Sequence, residues 1–174
     1  SKFEIDNLHV QVHPDKPALS QAAADFVAAQ VRAALAAQGQ ARVIFATGAS
    51  QYDFLDALCA APDIDWSRAT AFHLDEYVGI SADHPASFRR YLQERLFDRL
   101  PFAAVHLLAG DAPDPAAECR RYAGLLAEAP IDIACVGIGE NGHLAFNDPP
   151  AYFHTDAGVH VVQLDEACRR QQVG

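Results

Sequence analysis

The sequence is poor in basic residues and in long apolar runs, and both shortages exclude classes of protein. It holds 13 Lys and Arg against 23 Asp and Glu, a net charge of −10. A chain of this charge repels phosphate backbones, so we expect no nucleic acid partner. No apolar run approaches the roughly 18 residues that a spanning helix needs. The N-terminus also lacks a basic-then-apolar leader pattern, so we expect no membrane partner.

Paired cysteines are also missing. The four cysteines Cys59, Cys119, Cys135 and Cys168 are scattered, with neither a CxxC pair nor zinc-site spacing. They are typical of reduced thiols in a cytoplasmic protein. His154 and His160 likewise show no metal-site spacing, so we assign neither and expect no metal and no cofactor. A length of 174 residues suits one core, which predicts a single domain over residues 1–174.

Strand and helix patterns alternate along the chain. An extended segment over residues 3–12 precedes an amphipathic helix that Gly39 ends. The pattern then predicts strands at 42–46, 69–74 and 131–136, and helices at 52–58, 88–100 and 115–126. Such alternation implies parallel pairing with right-handed crossovers. We therefore predict a doubly wound, mainly parallel α/β sheet with helices on both faces, Rossmann-like in kind.

The first loop of interest, Thr47-Gly48-Ala49-Ser50, follows a predicted strand and opens a helix. Its amide N–H groups and two hydroxyls can hold an anion such as phosphate at the helix N-terminus. Ser and Thr also cap helices that bind nothing, so both interpretations stay open. The loop lacks the lysine of a P-loop, which disfavours nucleotide hydrolysis.

The second loop places Asp75 and Glu76 at the end of an apolar strand. Neighbours on an extended chain point to opposite faces, so at most one of them should face a given pocket. The pair either forms a solvated acidic loop or supplies a general base. The second interpretation holds if one carboxyl group is buried, because burial raises its pKa toward neutrality.

The third loop, residues 137–149, combines three glycines, His143 and Asp148 directly after the last predicted strand. Ligands bind at this edge of open α/β sheets. A tight loop whose histidine only bonds to backbone is the alternative, but glycines that free the backbone for close approach favour a functional site.

Three motifs together resemble the glucosamine-6-phosphate deaminase (isomerase) family. Residues 72–79 read Phe-His-Leu-Asp-Glu-Tyr-Val-Gly, residues 84–87 read His-Pro-Ala-Ser, and the third loop runs from Gly-Ile-Gly to Phe-Asn-Asp-Pro. The resemblance covers nearly all of the chain. The related 6-phosphogluconolactonase group shares the fold, but there we expect Asp-Glu-Arg in the second loop and no Phe-Asn-acid-Pro tail. Tyr77 and Phe146-Asn147-Asp148 therefore favour the deaminase.

The resemblance implies conversion of glucosamine 6-phosphate and water into fructose 6-phosphate and ammonia. Asp75 matches the enolising base, and His143 matches the histidine that opens the sugar ring. Asp148 stands where an acid partner of that histidine is expected, although the family commonly has a longer glutamate there. Asn141 departs from the family's aspartate, and an amide orients a ring without carrying a proton.

The resemblance also implies a phosphate site and an assembly. Thr47, Gly48, Ala49 and Ser50 match the phosphate loop, and Arg169, preferred over Arg170, matches a phosphate-binding arginine. The expected partner is a small-molecule sugar phosphate, and family resemblance suggests a homo-oligomer. Family members continue beyond residue 174, so we expect this chain to lack a C-terminal part and to be less active and less stable than a longer version.

Two other functions stay open. Lactone hydrolysis of the 6-phosphogluconolactonase type is disfavoured by Tyr77 and by the paired proton-transfer groups. A non-catalytic sugar-phosphate sensor is the third possibility, since regulators reuse this fold, but the chain has no DNA-binding helix-turn-helix and keeps the candidate base.

Overall fold

The computed structural model describes residues 2–164, so Arg169 and Arg170 lie outside the described residues. Its strands are β1 (Lys2–Ile5), β2 (Leu8–Gln11), β3 (Ala41–Phe45), β4 (Ala69–His73), β5 (Ala104–Val105) and β6 (Ile133–Ala134). Its α-helices are α1 (Lys16–Gln38), α2 (Tyr52–Ala60), α3 (Phe88–Leu92) and α4 (Pro115–Ala127).

The main sheet is parallel throughout and has the order β5-β4-β3-β6. The chain adds β4 and β5 successively on one side of β3 and then crosses back to place β6 on its other side. The strand order therefore reverses between β3 and β6, and in doubly wound sheets ligands bind at this point, beyond the carboxyl ends of the strands.

Alternate residues of the strands enter two different cores, one on each face of the sheet. Val43 and Phe45 of β3 pack in the larger core with residues of α1, α2 and α3. Ile44 of the same strand packs on the other face with Phe72 and with Tyr122 of α4. Helices thus cover both faces, and the predicted doubly wound α/β fold is confirmed.

The two longest helices begin and end where the sequence places the required residues. Asp15 caps α1 by accepting from the Ala18 N–H at 2.8 Å, and Gly39 ends it in the left-handed region at φ 81°. Asp114 caps α4 in the same way, accepting from the Ala117 N–H at 3.0 Å.

The structure differs from the predicted elements in four places, the first being the strand predicted at 131–136, of which only Ile133–Ala134 forms β6. The extended N-terminal segment is an antiparallel hairpin of β1 and β2, outside the main sheet. The predicted helix at 88–100 is α-helical only to Leu92 and continues as a π-helical turn, Gln93–Phe97. The two-residue strand β5 was not predicted, because so short a segment carries no periodicity. Within residues 2–164, the helices are all too short or too polar to cross a bilayer.

Candidate active site

The carboxyl ends of β3, β4 and β6 lie side by side. Phe45 pairs with His73, and Ile44 pairs with Ala134. Hydrogen bonds carry this alignment one residue further, since the Phe45 carbonyl accepts from the Leu74 N–H at 3.2 Å. The loops that follow the three strands, at 46–51, 74–80 and 135–148, therefore emerge at one edge of the sheet, at its switch point.

Asp75 lines a cavity of about 430 Å³ that we call the Asp75 cavity. Its walls include Glu76, Tyr77, Phe146 and Asn147 from the second and third loops, and apolar side chains such as Ile44 and Leu108. Burial, and secondly the negative charge of Glu76, raises the pKa of Asp75 from 3.8 to about 7. A carboxyl group in this range both accepts and donates a proton near neutral pH.

Glu76 has a different role from its neighbour. Its side chain is 1% exposed, and its carboxylate accepts from the Ser87 hydroxyl at 2.7 Å and from the N–H groups of Phe88 and Arg89 at 3.1 and 3.0 Å. The Arg89 guanidinium lies 3.3 Å away and also pairs with Asp111 at 3.0 Å. Glu76 therefore fastens the second loop to the start of α3 and holds Asp75 in the cavity wall.

His73, the last residue of β4, is a buried and neutral histidine. Its Nε2 accepts from the Leu108 N–H at 2.8 Å, and burial lowers its pKa to about 4. The imidazole therefore stays uncharged at neutral pH. Its hydrogen bond with Leu108 connects β4 to the segment that follows β5.

His143 is held by two acceptors on one ring nitrogen. Its Nδ1 lies 2.5 Å from Asn141 Oδ1 and 3.1 Å from Asp148 Oδ1. The Asn141 amide also donates to Asp148 Oδ1 at 3.2 Å, while Asn141 Oδ1 accepts from the His143 N–H at 3.1 Å. Because both groups facing Nδ1 are acceptors, Nδ1 carries the hydrogen. The other nitrogen, Nε2, is then the one available for proton exchange.

The short Asp148 side chain thus reaches His143 directly, without a bridging group. It is 5% exposed, and its Oδ2 is buried with no hydrogen-bond partner among residues 2–164. The aspartate is close enough because the loop folds back tightly, with Gly142 at φ 84° and Ala145 at φ 53°.

Gly139 makes this fold-back possible. Its N–H donates to the His143 carbonyl at 2.9 Å, and its carbonyl accepts from the Gly142 N–H at 2.9 Å. A Cβ atom at Gly139 would overlap the His143 ring. The imidazole therefore occupies the space that a side chain would take, and only glycine suits this position.

Three aromatic rings join the second and third loops. Tyr77 lies 5.0 Å from Phe88 and 5.1 Å from Phe146, and the last two are stacked at 5.5 Å between centroids. Tyr77 and Phe146 belong to the loops that carry Asp75 and His143. This cluster therefore fixes the two loops relative to each other.

The first loop follows β3 and leads into a helix, as the sequence predicts. Gly48 lies at φ 110° and ψ 164°, a conformation essentially restricted to glycine, and the 3-10 turn Ala49–Gln51 leads into α2. Neither the turn nor α2 is capped by a side chain. The first amides of the turn therefore lack the alternative acceptor that a capping Ser or Thr would provide.

The structure brings together some of the predicted site residues and separates others. His143, Asn141 and Asp148 form one hydrogen-bonded group, and Asp75 shares its cavity with Ala145, Phe146 and Asn147, which follow His143. His143 itself does not line that cavity, nor do residues 47–50. The first loop instead adjoins the third at Gly137, where an added Cβ would lie 3.8 Å from Ser50 Oγ.

Sequence reasoning missed the roles of Glu76, Arg89, Gly139 and Phe88. The signal for Gly139 was present, since Gly139 and Gly142 stand four residues and one residue before His143. The pairing of Glu76 with the Ser87–Arg89 segment follows from no local pattern, because it depends on how the loop at 77–86 folds.

We next compared the whole sequence with known protein families. The profile of the family described as glucosamine-6-phosphate isomerases/6-phosphogluconolactonase matches residues 14–172. The chain belongs to this family. The three motifs from which the resemblance was drawn all lie within the matched residues.

Known proteins of both kinds are similar to this chain. A glucosamine-6-phosphate deaminase from Exiguobacterium sp. (strain ATCC BAA-1283 / AT1b) is 48% identical over 106 residues, 61% of this chain and 41% of that protein. A solved monomeric glucosamine-6-phosphate deaminase superimposes with a TM-score of 0.82 at 32% identity, over 90% of this chain and 65% of its own. A 6-phosphogluconolactonase from Shewanella baltica OS155 reaches 0.67 at 26% identity, over 76% of this chain and 57% of its own. The chain spans about half the length of the curated relatives it matches.

Proposed function

We propose that this chain carries the site of a glucosamine-6-phosphate deaminase, which converts glucosamine 6-phosphate and water into fructose 6-phosphate and ammonia. The observation that carries the proposal is Asp75, a carboxyl group of near-neutral pKa in the wall of a cavity that the segment after β4 and the third loop line together. The names of the similar proteins support the same reaction.

Asp75 is the proposed enolising base. In the open-chain sugar phosphate it takes the proton from C2 and returns it to C1, so one group must accept and then donate. A carboxyl group with a pKa of about 7 suits both steps at neutral pH, because both protonation states are well populated.

His143 is the proposed ring-opening group. It takes the proton of the anomeric hydroxyl and gives one to the ring oxygen, using Nε2. Asn141 and Asp148 hold Nδ1–H and so keep the ring in one orientation. Asp148 also stabilises the imidazolium that forms during the transfer, as the acid of a catalytic triad does.

The loop at residues 47–50 is the proposed phosphate site. The uncapped amides at the start of the turn and of α2 supply N–H donors and the positive end of a helix dipole. A protein of net charge −10 needs such a preorganised local site to bind a phosphate ester. Arg169 remains a proposed phosphate ligand from the resemblance alone.

The test is release of ammonia and fructose 6-phosphate from glucosamine 6-phosphate by the 174-residue chain. We expect both products from the wild type, none from Asp75→Asn, and unchanged turnover from Asp25→Asn, whose exposed carboxylate on α1 lies outside the site. Hydrolysis of 6-phosphogluconolactone without ammonia release would contradict the proposal and favour the lactonase. Binding without turnover, in wild type and Asp75→Asn alike, would favour a sensor.

A further inference from the structure

Tyr91 connects α3 to the first loop through one hydrogen bond. Tyr91 follows Ser87, the N-cap of α3, by one helical turn, and its hydroxyl donates to the Gly48 carbonyl at 2.7 Å. The two residues are 43 positions apart in sequence. No motif noted in the sequence includes this tyrosine.

The tyrosine hydroxyl is held in a fixed position. Its ring stacks on Tyr52 at 5.6 Å between centroids and 22° between planes. The Arg95 guanidinium covers both rings, 3.7 Å from the centroid of Tyr52 and 5.2 Å from that of Tyr91. Burial raises the pKa of Tyr91 above its ordinary value of 10, so the hydroxyl keeps its proton and remains a donor at neutral pH.

The Gly48 carbonyl accepts hydrogen bonds from the Tyr91 hydroxyl and, at 3.0 Å, from the Gln51 N–H. In a planar trans peptide the C=O and N–H groups point in opposite directions. The bond from Tyr91 therefore directs the Ala49 N–H away from α3. The next peptide is also contacted from outside the loop, since Lys16 Nζ of α1 donates to the Ala49 carbonyl at 3.4 Å.

We propose that Tyr91 is a positioning residue for the phosphate site: its hydroxyl fixes the Gly48 peptide so that the Ala49 N–H faces the substrate phosphate. This inference rests on the proposed function of residues 47–50 as the phosphate loop. Gly48 has no side chain to restrict its backbone, so its peptide is held by the hydrogen bonds to its carbonyl, and the bond from Tyr91 adds a second element to the one that Gln51 makes within the turn.

Tyr52 provides a matched control. It stacks on the same guanidinium and on the same neighbouring ring, but its hydroxyl makes no hydrogen bond within residues 2–164. Tyr91→Phe and Tyr52→Phe each remove one hydroxyl from this stack and leave the rings in place. A loss seen with the first and not with the second therefore reports the bond to Gly48.

The experiment measures steady-state kinetics with glucosamine 6-phosphate, calorimetric binding of inorganic phosphate, and hydrogen exchange of the Gln51 amide, all on the full chain. For Tyr91→Phe we expect KM and the phosphate Kd to rise about fivefold, as for the loss of one neutral hydrogen bond, with kcat within twofold. We also expect faster exchange at Gln51. Tyr52→Phe should match the wild type in all three.

The outcomes separate this inference from the proposed function. A wild-type chain that turns over substrate and binds phosphate, with Tyr91→Phe equal to Tyr52→Phe, would overturn the role of Tyr91 alone. A fall in kcat at unchanged KM would also overturn it, because the hydroxyl would then act on the chemical step. A wild-type chain that binds no phosphate would overturn the phosphate loop and the role of Tyr91 together.

Discussion

Replacing Asp75 by Asn should make the protein more stable at neutral and alkaline pH. The folded chain keeps the Asp75 proton up to a pH of about 7, whereas the unfolded chain loses it near 3.8. Between these values the folded state binds more protons, so the contribution of Asp75 to stability falls as the pH rises. It is near zero below pH 3.8 and fully unfavourable above about pH 7. An asparagine has no charge to bury and avoids this loss.

The size of the effect follows from the two pKa values. At 1.36 kcal/mol per pH unit, the difference between 3.8 and about 7 corresponds to about 4 kcal/mol. Asp75 is only partly shielded from water, so screening reduces the expected gain to about 2–4 kcal/mol. This is a large change for a single substitution that adds no contact.

The assay is urea unfolding of wild type, Asp75→Asn and Asp25→Asn at pH 4.5 and at pH 8. The gain in the free energy of unfolding from Asp75→Asn should be small at pH 4.5 and reach about 2–4 kcal/mol at pH 8. Asp25→Asn should show no comparable change, because its carboxylate is exposed on α1. A gain that does not grow with pH, or a loss at pH 8, would refute the reasoning that Asp75 is a destabilising buried charge.

Three further substitutions test the architecture of the site. Gly139→Ala should lower kcat at least tenfold, since the added methyl group displaces the His143 ring; kcat within twofold of wild type would contradict the packing described. Asn141→Ala should lower kcat about 10–100-fold. Asn141→Asp should lower kcat less, because a carboxylate oxygen still accepts from His143. Equal losses of kcat in both variants would show that this acceptor is unimportant. Arg89→Met should cost about 3–5 kcal/mol in urea unfolding, because it leaves the buried Glu76 carboxylate without its cation; a cost below about 1 kcal/mol would mean that the Ser87 hydroxyl and the backbone donors suffice.

The fold class and the positions of the loops could be predicted from local pattern. Apolar alternation and helix caps such as Asp15 and Gly39 are properties of neighbouring residues, and they act before any tertiary contact exists. Alternating strands and helices then leave few topologies that obey right-handed crossover. This is why residues 47–50, 75 and 143 could be placed at one edge of the sheet in advance.

Tertiary structure decided the different roles of Asp75 and Glu76. Alternation says only that two adjacent carboxylates diverge, and it was the family resemblance, not a local pattern, that singled out Asp75. The structure gives Glu76 the hydroxyl and N–H donors at the start of α3, and it leaves Asp75 in the cavity wall with a pKa of about 7. Solvation and hydrogen bonding are properties of the packed chain, so no local pattern could assign them.

Sequence by itself therefore determined the alternating elements, the family and the residue types present at the sheet edge. Tertiary structure decided which atoms meet there: the Tyr91 hydroxyl on Gly48, the His143 ring over Gly139, and the aromatic contact of Tyr77 with Phe146. The physical reason is the distance along the sequence over which each kind of interaction acts. Periodicity and capping depend on residues a few positions apart, whereas these contacts join segments that become neighbours only when the strands pair and the loops close over their ends.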